Sequence, residues 1–133
     1  VAVKEASGNL TQIMEIIYHA PEGFVVVSGD DPLTLPMIVA GAKGLISVIG
    51  NAYPSLTQQL VARALEGEMD ESRVIQRKLW RLMKLAFEEG NPAGVKALMG
   101  DLVGINPMVR LPLIPASEDL TRRLKLEAEK LKD

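Results

Sequence analysis

The chain of 133 residues has no cysteine and a single histidine, His19. The first absence excludes disulfides, thiolate metal sites and cysteine nucleophiles. The second argues against a histidine-built metal centre or a Ser-His triad within one chain. No excess of one charge is present either. Fifteen basic and 17 acidic residues give a net charge of −2, so no basic face points to nucleic acid or an anionic membrane. No apolar run is long enough to span a bilayer. The expected setting is a reducing cytoplasm, without nucleic acid, membrane, metal or cofactor. Aromatics are scarce, and the one tryptophan, Trp80, reads as packing or meeting a partner rather than stacking a ligand.

What is present is a hydrophobic fraction of 47%, enough for one sizeable core. The length falls short of the roughly 250 residues of a closed (β/α)₈ barrel. Val1 opens in the middle of a strand pattern, and the chain is expected to be the carboxyl-terminal part of a larger polypeptide. The first part alternates strand and helix signals. Residues 1–4 read as a strand. Residues 9–19 read as a helix capped by Asn9 and closed by Pro21, with Leu10, Ile13, Met14 and Ile17 inward. A β-branched strand over residues 24–27 ends at Ser28-Gly29-Asp30-Asp31-Pro32, and a short helix over 35–40 follows. A third strand is expected over residues 45–49, then a helix opened by a Ser55–Gln58 capping box and ended by Gly67. Strands alternating with helices predict a parallel sheet.

From residue 68 the strand signal vanishes. A long amphipathic helix is expected over residues 70–89, with Ile75, Leu79, Leu82, Met83 and Ala86 inward. Asn91-Pro92 should start another by cap and first-turn proline. Gly104 ends it, a proline-punctuated segment covers 106–115, and Ser117 caps a last helix bearing Leu120, Leu124 and Leu131.

Strand residues alternate faces, so Ala2 and Lys4 share one and Val1 and Val3 the other. In a parallel sheet covered on both faces, Lys4 would sit inside, at the carboxyl edge where α/β folds build their sites. Burial disfavours an ammonium and leaves free amine to attack a carbonyl, which is the chemistry of a Schiff base. The plainer alternative is a lysine that ends a strand and reaches water.

Lys4-Glu5-Ala6-Ser7-Gly8-Asn9-Leu10 resembles the Schiff-base lysine segment of the dihydrodipicolinate synthase family, the pyruvate-dependent class I aldolases that include N-acetylneuraminate lyase. Ser28-Gly29-Asp30-Asp31 and Gly44-Leu45-Ile46-Ser47-Val48-Ile49-Gly50-Asn51 resemble its next two strand ends, in order and at the right spacing. Asn91-Pro92-Ala93-Gly94-Val95-Lys96 and Val109-Arg110-Leu111-Pro112-Leu113 look like its carboxyl-terminal helical region. The resemblance implies an α/β fold: the last three βα units of a (β/α)₈ barrel over residues 1–67, and a helical region over 68–133. It implies that Lys4 forms an imine with pyruvate and that the derived enamine attacks an aldehyde, aspartate semialdehyde in the synthase branch favoured by the Gly-Asp-Asp and Ile-Ser-Val spellings. Ile46 matches the residue whose backbone borders pyruvate, Gly29 the glycine beside it, and Asp30 is a candidate contact for the second substrate. An aspartate before a proline also commonly starts a helix, which leaves Asp30 and Asp31 a structural alternative.

The family's proton-relay tyrosine and its carboxylate-holding hydroxyls lie on earlier strands. Tyr18 and Tyr53 do not stand in its motif. The implied partners are a missing amino-terminal half or further copies in a homo-oligomer. The alternatives are another aldolase of the family, such as N-acetylneuraminate lyase, and a catalytically incomplete half-barrel module that self-associates through open sheet edges.

Overall fold

A computed structural model describes residues 1–131; the last two residues of the expected helical region, 132 and 133, lie outside the described residues. Strand β1 (Ala2–Glu5) leads into helix α1 (Leu10–His19). The Asn9 side chain accepts the Gln12 N–H at 3.2 Å and so caps α1, as its sequence position predicts. The helix stops at Ala20, immediately before Pro21. Leu10, Ile13 and Ile17 turn inward, but Met14 is exposed, so the apolar stripe is narrower than its sequence pattern. Strand β2 (Val25–Ser28) pairs parallel to β1, with Lys4 opposite Val27 and Glu5 opposite Ser28.

The expected third strand is shorter than its composition suggests. Only Leu45 bridges Ser28, also in parallel, and Ile49–Asn51 winds into a 3₁₀ turn. Three hydrogen bonds of 2.8 Å join this stretch to β2: Lys43 N–H to Val26 C=O, Ser28 N–H to Gly44 C=O, and Ile46 N–H to Ser28 C=O. Past Ile46 the polar groups find other partners. The Ser47 hydroxyl donates to the Asp31 carboxylate, and the Asn51 N–H closes on the Val48 carbonyl. A local bond of that kind is incompatible with extended backbone.

Helix α2 (Thr34–Ala40) follows β2, and helix α3 (Pro54–Glu66) follows the 3₁₀ turn. Pro54 already stands inside α3, where its missing N–H costs no helix bond. Ser55 is therefore not a cap, and its hydroxyl accepts from the Gln59 side chain at 3.1 Å, so the Ser55–Gln58 box does not form. Long helix α4 spans Met69–Glu88.

Two compact units emerge. The first comprises Val1–Ser47 and Ser55–Gln76. Its central cluster is Ile13, Met37 and Ala42, with Leu10, Ile17 and Leu33 packed against it. The start of α4 belongs here: Ser72 donates to the Leu60 carbonyl and Gln76 to that of Pro32, both at 2.9 Å. The second unit comprises Val48–Pro54 and the chain from Arg77. It is helical, built from the rest of α4, α5 (Ala93–Val103) and α6 (Glu118–Glu129). Leu79, Leu82, Met83, Ala86, Leu120 and Leu124 are buried as expected, whereas Ile75 and Leu131 are only half-buried; Leu98 is buried as well. Pro92 takes the cap position of α5 itself, one residue earlier than the predicted first-turn proline. Ser117 caps α6 at the Leu120 N–H, and its own N–H and hydroxyl reach the Glu89 carboxylate at 2.7 and 2.6 Å.

Hydrogen bonds from Arg123 hold the Glu88 carboxyl below its usual range, and those from Arg122 and Arg123 do the same for Asp119. Depressed carboxylates contribute at neutral pH and lose that contribution as pH falls through the carboxylate range. All these groups are solvent-facing, so the contribution is small.

Gly94 marks a tight backbone approach in the second unit. A Cβ there would lie 2.4 Å from the Ala86 carbonyl oxygen and 2.9 Å from the Ala86 Cα. Both are main-chain atoms and cannot swing away. Gly94→Ala is expected to destabilise by about 2 kcal/mol, in the range of overpacked cores. Chemical denaturation of the two forms measures it.

Candidate active site

Strand β2 lies between β1 and the Leu45 stretch. The Ser28 N–H and C=O both serve the latter, while the Gly29 N–H reaches across to the Glu5 carbonyl at 2.7 Å. Alternation then sorts the side chains. Glu5, Ser28 and Leu45 share the face that carries the helices. Lys4, Val27, Gly29 and Ile46 share the other. Three of the four residues predicted for the site thus come to one face at the carboxyl ends of neighbouring parallel segments.

Lys4 and Gly29 come into close contact. A Cβ on Gly29 would stand 2.5 Å from Lys4 Cε, 2.9 Å from Lys4 Cγ and 2.9 Å from Ala6 Cβ. The lysine stem lies across a position where any side chain would push it aside. The sequence pattern predicts a sheet covered on both faces. Instead, Lys4 and Ile46 are exposed, Ile46 by 54%, and among the described residues the buried side chains of the strands, Glu5, Val26 and Ser28, lie on the opposite face.

Asp30, the fourth predicted residue, spends one carboxylate oxygen on the Leu33 N–H at 3.3 Å. That bond closes the turn ahead of α2, whose cap residue is Leu33 with no side-chain capping bond, so Asp30 does not cap the helix. Its other oxygen, Oδ2, lies 3.9 Å from where a Cβ on Gly8 would be.

Sequence reasoning gave no individual role to the polar knot beneath. The Ser28 side chain is fully buried and donates to the Asp30 carbonyl at 2.9 Å. It accepts from the Asp30 N–H at 3.1 Å, and the Thr34 hydroxyl reaches the same carbonyl at 3.0 Å. Asp31 is 1% exposed, and its carboxylate accepts from the Ser47 hydroxyl. The available signal was hydroxyl and carboxyl residues set inside apolar runs. Such residues are buried only when hydrogen-bonded.

Among the described residues, no group of three or more acidic or imidazole side chains gathers into a metal site, and no helix is long and apolar enough to cross a membrane. Tyr18 is 83% exposed. In the second unit, burial foremost, and Asp101 after it, push the Tyr53 phenol above its ordinary range. Trp80 is partly exposed and lines a groove of about 530 Å³ with Arg81, Lys84, Arg123 and Leu126.

Residues 1–131 match the sequence profile of the Dihydrodipicolinate synthetase family. The chain belongs to this family. It is 44% identical over 131 residues to the 4-hydroxy-tetrahydrodipicolinate synthase of Flavobacterium psychrophilum, covering 98% of this chain and 45% of that relative. With the namesake from Azobacteroides pseudotrichonymphae it shares 47% identity over 94% of this chain and 42% of the relative. The crystal structure of dihydrodipicolinate synthase from Aquifex aeolicus superposes with a TM-score of 0.94 at 40% identity, over 99% of this chain and 45% of that one. The Thermotoga maritima structure gives 0.94 at 37% identity, over 98% and 45%. The chain therefore spans less than half the length of the dihydrodipicolinate synthetase family members it matches.

Within this family chain, Tyr53 is the tyrosine whose role needs separating from catalysis. Its hydroxyl is buried with no hydrogen-bond partner among the described residues. Tyr53→Phe is expected to leave stability within about 0.5 kcal/mol or raise it, because an unsatisfied polar atom is removed. The raised phenol also has a sign: the neutral form is favoured by folding, so this contribution is lost as pH rises past the ordinary tyrosine range. Alkaline unfolding should shift to higher pH in the Phe variant, as followed by circular dichroism.

Proposed function

We propose that this chain carries the Schiff-base lysine of a pyruvate-dependent 4-hydroxy-tetrahydrodipicolinate synthase, with Lys4 as nucleophile. Its residues represent the last three βα units of a (β/α)₈ barrel and the helical region after it. The observation that carries the reading is the Lys4 stem lying across side-chain-free Gly29, on one face with Ile46, in a chain of this family. The relatives named above are synthases, which favours that branch over the neuraminate lyases.

In the proposed reaction the Lys4 amine adds to the pyruvate ketone, and loss of water gives a protonated imine. That imine is an electron sink, so the adjacent methyl loses a proton to give an enamine. The enamine carbon forms a new bond to the carbonyl carbon of aspartate semialdehyde, whose oxygen takes up a proton. Gly29 leaves room for the Lys4 stem beside pyruvate, the Ile46 backbone borders the pyruvate, and Asp30 Oδ2 is the proposed contact to the aldehyde. The proton relay and the carboxylate-holding hydroxyls come from the remainder of the full-length enzyme. Exposed Met14, Tyr18, Val39, Ile46, Leu111 and Ile114 support pairing with that remainder and with further copies in the cytoplasm.

The test is borohydride reduction in the presence of pyruvate, read by intact mass and peptide mapping of the full-length protein. The adduct should map to Lys4, and Lys4→Ala should abolish it; undiminished trapping in that variant refutes the assignment. The 133-residue chain alone should trap pyruvate weakly and condense it with the aldehyde at least about 10²-fold more slowly than the full-length enzyme, having lost proton transfer and orientation. Robust turnover by the isolated chain would show that it holds a complete site.

A further inference from the structure

We propose that Asp31 and Ser47 form a positioning pair that sets the Ile46 backbone against Lys4 and thereby sets the affinity for the keto acid. The inference rests on the Schiff-base reading above and adds to it two residues that do not touch the substrate. Ile46 has one backbone tie to β2, its N–H to the Ser28 carbonyl at 2.8 Å. The ladder ends there, because strand pairing stops at the Ser28–Leu45 bridge. Directly after it the Ser47 hydroxyl donates to Asp31. Asp31 is held in its turn: it is 1% exposed, and its carbonyl accepts the Thr34 N–H at 3.3 Å. Ile46 is thus clamped between a backbone bond on one side and a charge-assisted side-chain bond on the other.

A buried carboxylate is a costly thing to place in a fold. It persists where donors meet it, and a hydrogen bond to a charged group is about twice as strong as a neutral one. Ser47 could end the strand without any such partner. The pair's consequence is geometric. The residue before Ser47 is the one whose backbone borders the keto acid in the proposed reaction, and it is exposed on the Lys4 face. Removal of the clamp frees Ile46 to drift and loosens the border of the keto-acid site, while Lys4, held on β1, keeps its place.

The experiment uses the full-length enzyme. Ser47→Ala should raise the pyruvate KM about tenfold or more, with kcat at saturating pyruvate changed less than threefold and the Lys4 adduct still formed at high pyruvate. Ser47→Thr, which keeps the hydroxyl, should restore the KM. Thermal melting is recorded for each variant; if Ser47→Ala does not fold, Ser47→Cys, nearly isosteric and a weak donor, takes its place and should show the same rise. An unchanged pyruvate KM in a folded Ala or Cys variant overturns the positioning role, as does a Thr variant as impaired as Ala. The two readings fail separately. Trapping that survives Lys4→Ala sinks the Schiff base itself, whereas trapping lost in Lys4→Ala with Ser47 variants of normal KM sinks only the clamp.

Discussion

The backbone of Ser28 gives its N–H to Gly44 and takes the N–H of Ile46, at 2.8 Å each, while the next N–H, that of Gly29, goes to Glu5 at 2.7 Å. Three stretches far apart in sequence are joined within two residues. Parallel pairing has no tight hairpin to enforce it, so each crossover is closed by these bonds and by the helices laid against one face. The Ser28 side chain, turned into that covered face, makes the arrangement rigid through Asp30 and Thr34. Because Ser28 faces inward, Gly29 must face Lys4. The alternation of one strand delivers both a locked underside and an open upper side.

That geometry explains which parts were legible in the sequence. The first strand, α1 and β2 follow from local signals: Asn9 as a cap, Pro21 as a stop, a β-branched run with a glycine after it. The third strand misled, since residues 45–49 have strand composition but their partners are set at a distance. Asp31 lies 16 residues from Ser47 in the chain, and no periodicity announces that the two meet. The same limit applied at Ser55, where Pro54 could begin the helix and turned a plausible cap into an interior residue. Lys4 and Gly29 were readable as chemistry only through their motifs. Strand alternation alone left a lysine that reaches water, and within this chain it does reach water. Whether a sheet face is covered depends on surfaces that a local pattern does not encode.

The motif around the lysine divides into two jobs. Glu5 Oε1 accepts the Ser7 N–H at 3.0 Å, Ser7 Oγ accepts the Asn9 N–H at 3.1 Å, and Asn9 Oδ1 accepts the Gln12 N–H at 3.2 Å. Each polar side chain satisfies a backbone donor slightly further along, which leads the chain from strand into helix. Glu5, Ser7 and Asn9 are thus occupied in building the turn. Lys4 takes no part in that ladder. It precedes it, on the opposite face from Glu5, and the turn's rigidity fixes where its stem begins. Glu5 is nearly fully buried, and its Oε2 has no hydrogen-bond partner among the described residues. A buried carboxylate oxygen of that kind costs stability, on the order of 1–3 kcal/mol for a polar group left unsatisfied. Such local costs cluster where a fold serves a site rather than itself. Here the cost falls on the residue next to the lysine. The same turn fixes where the Lys4 stem begins, and strand alternation then lays that stem across Gly29.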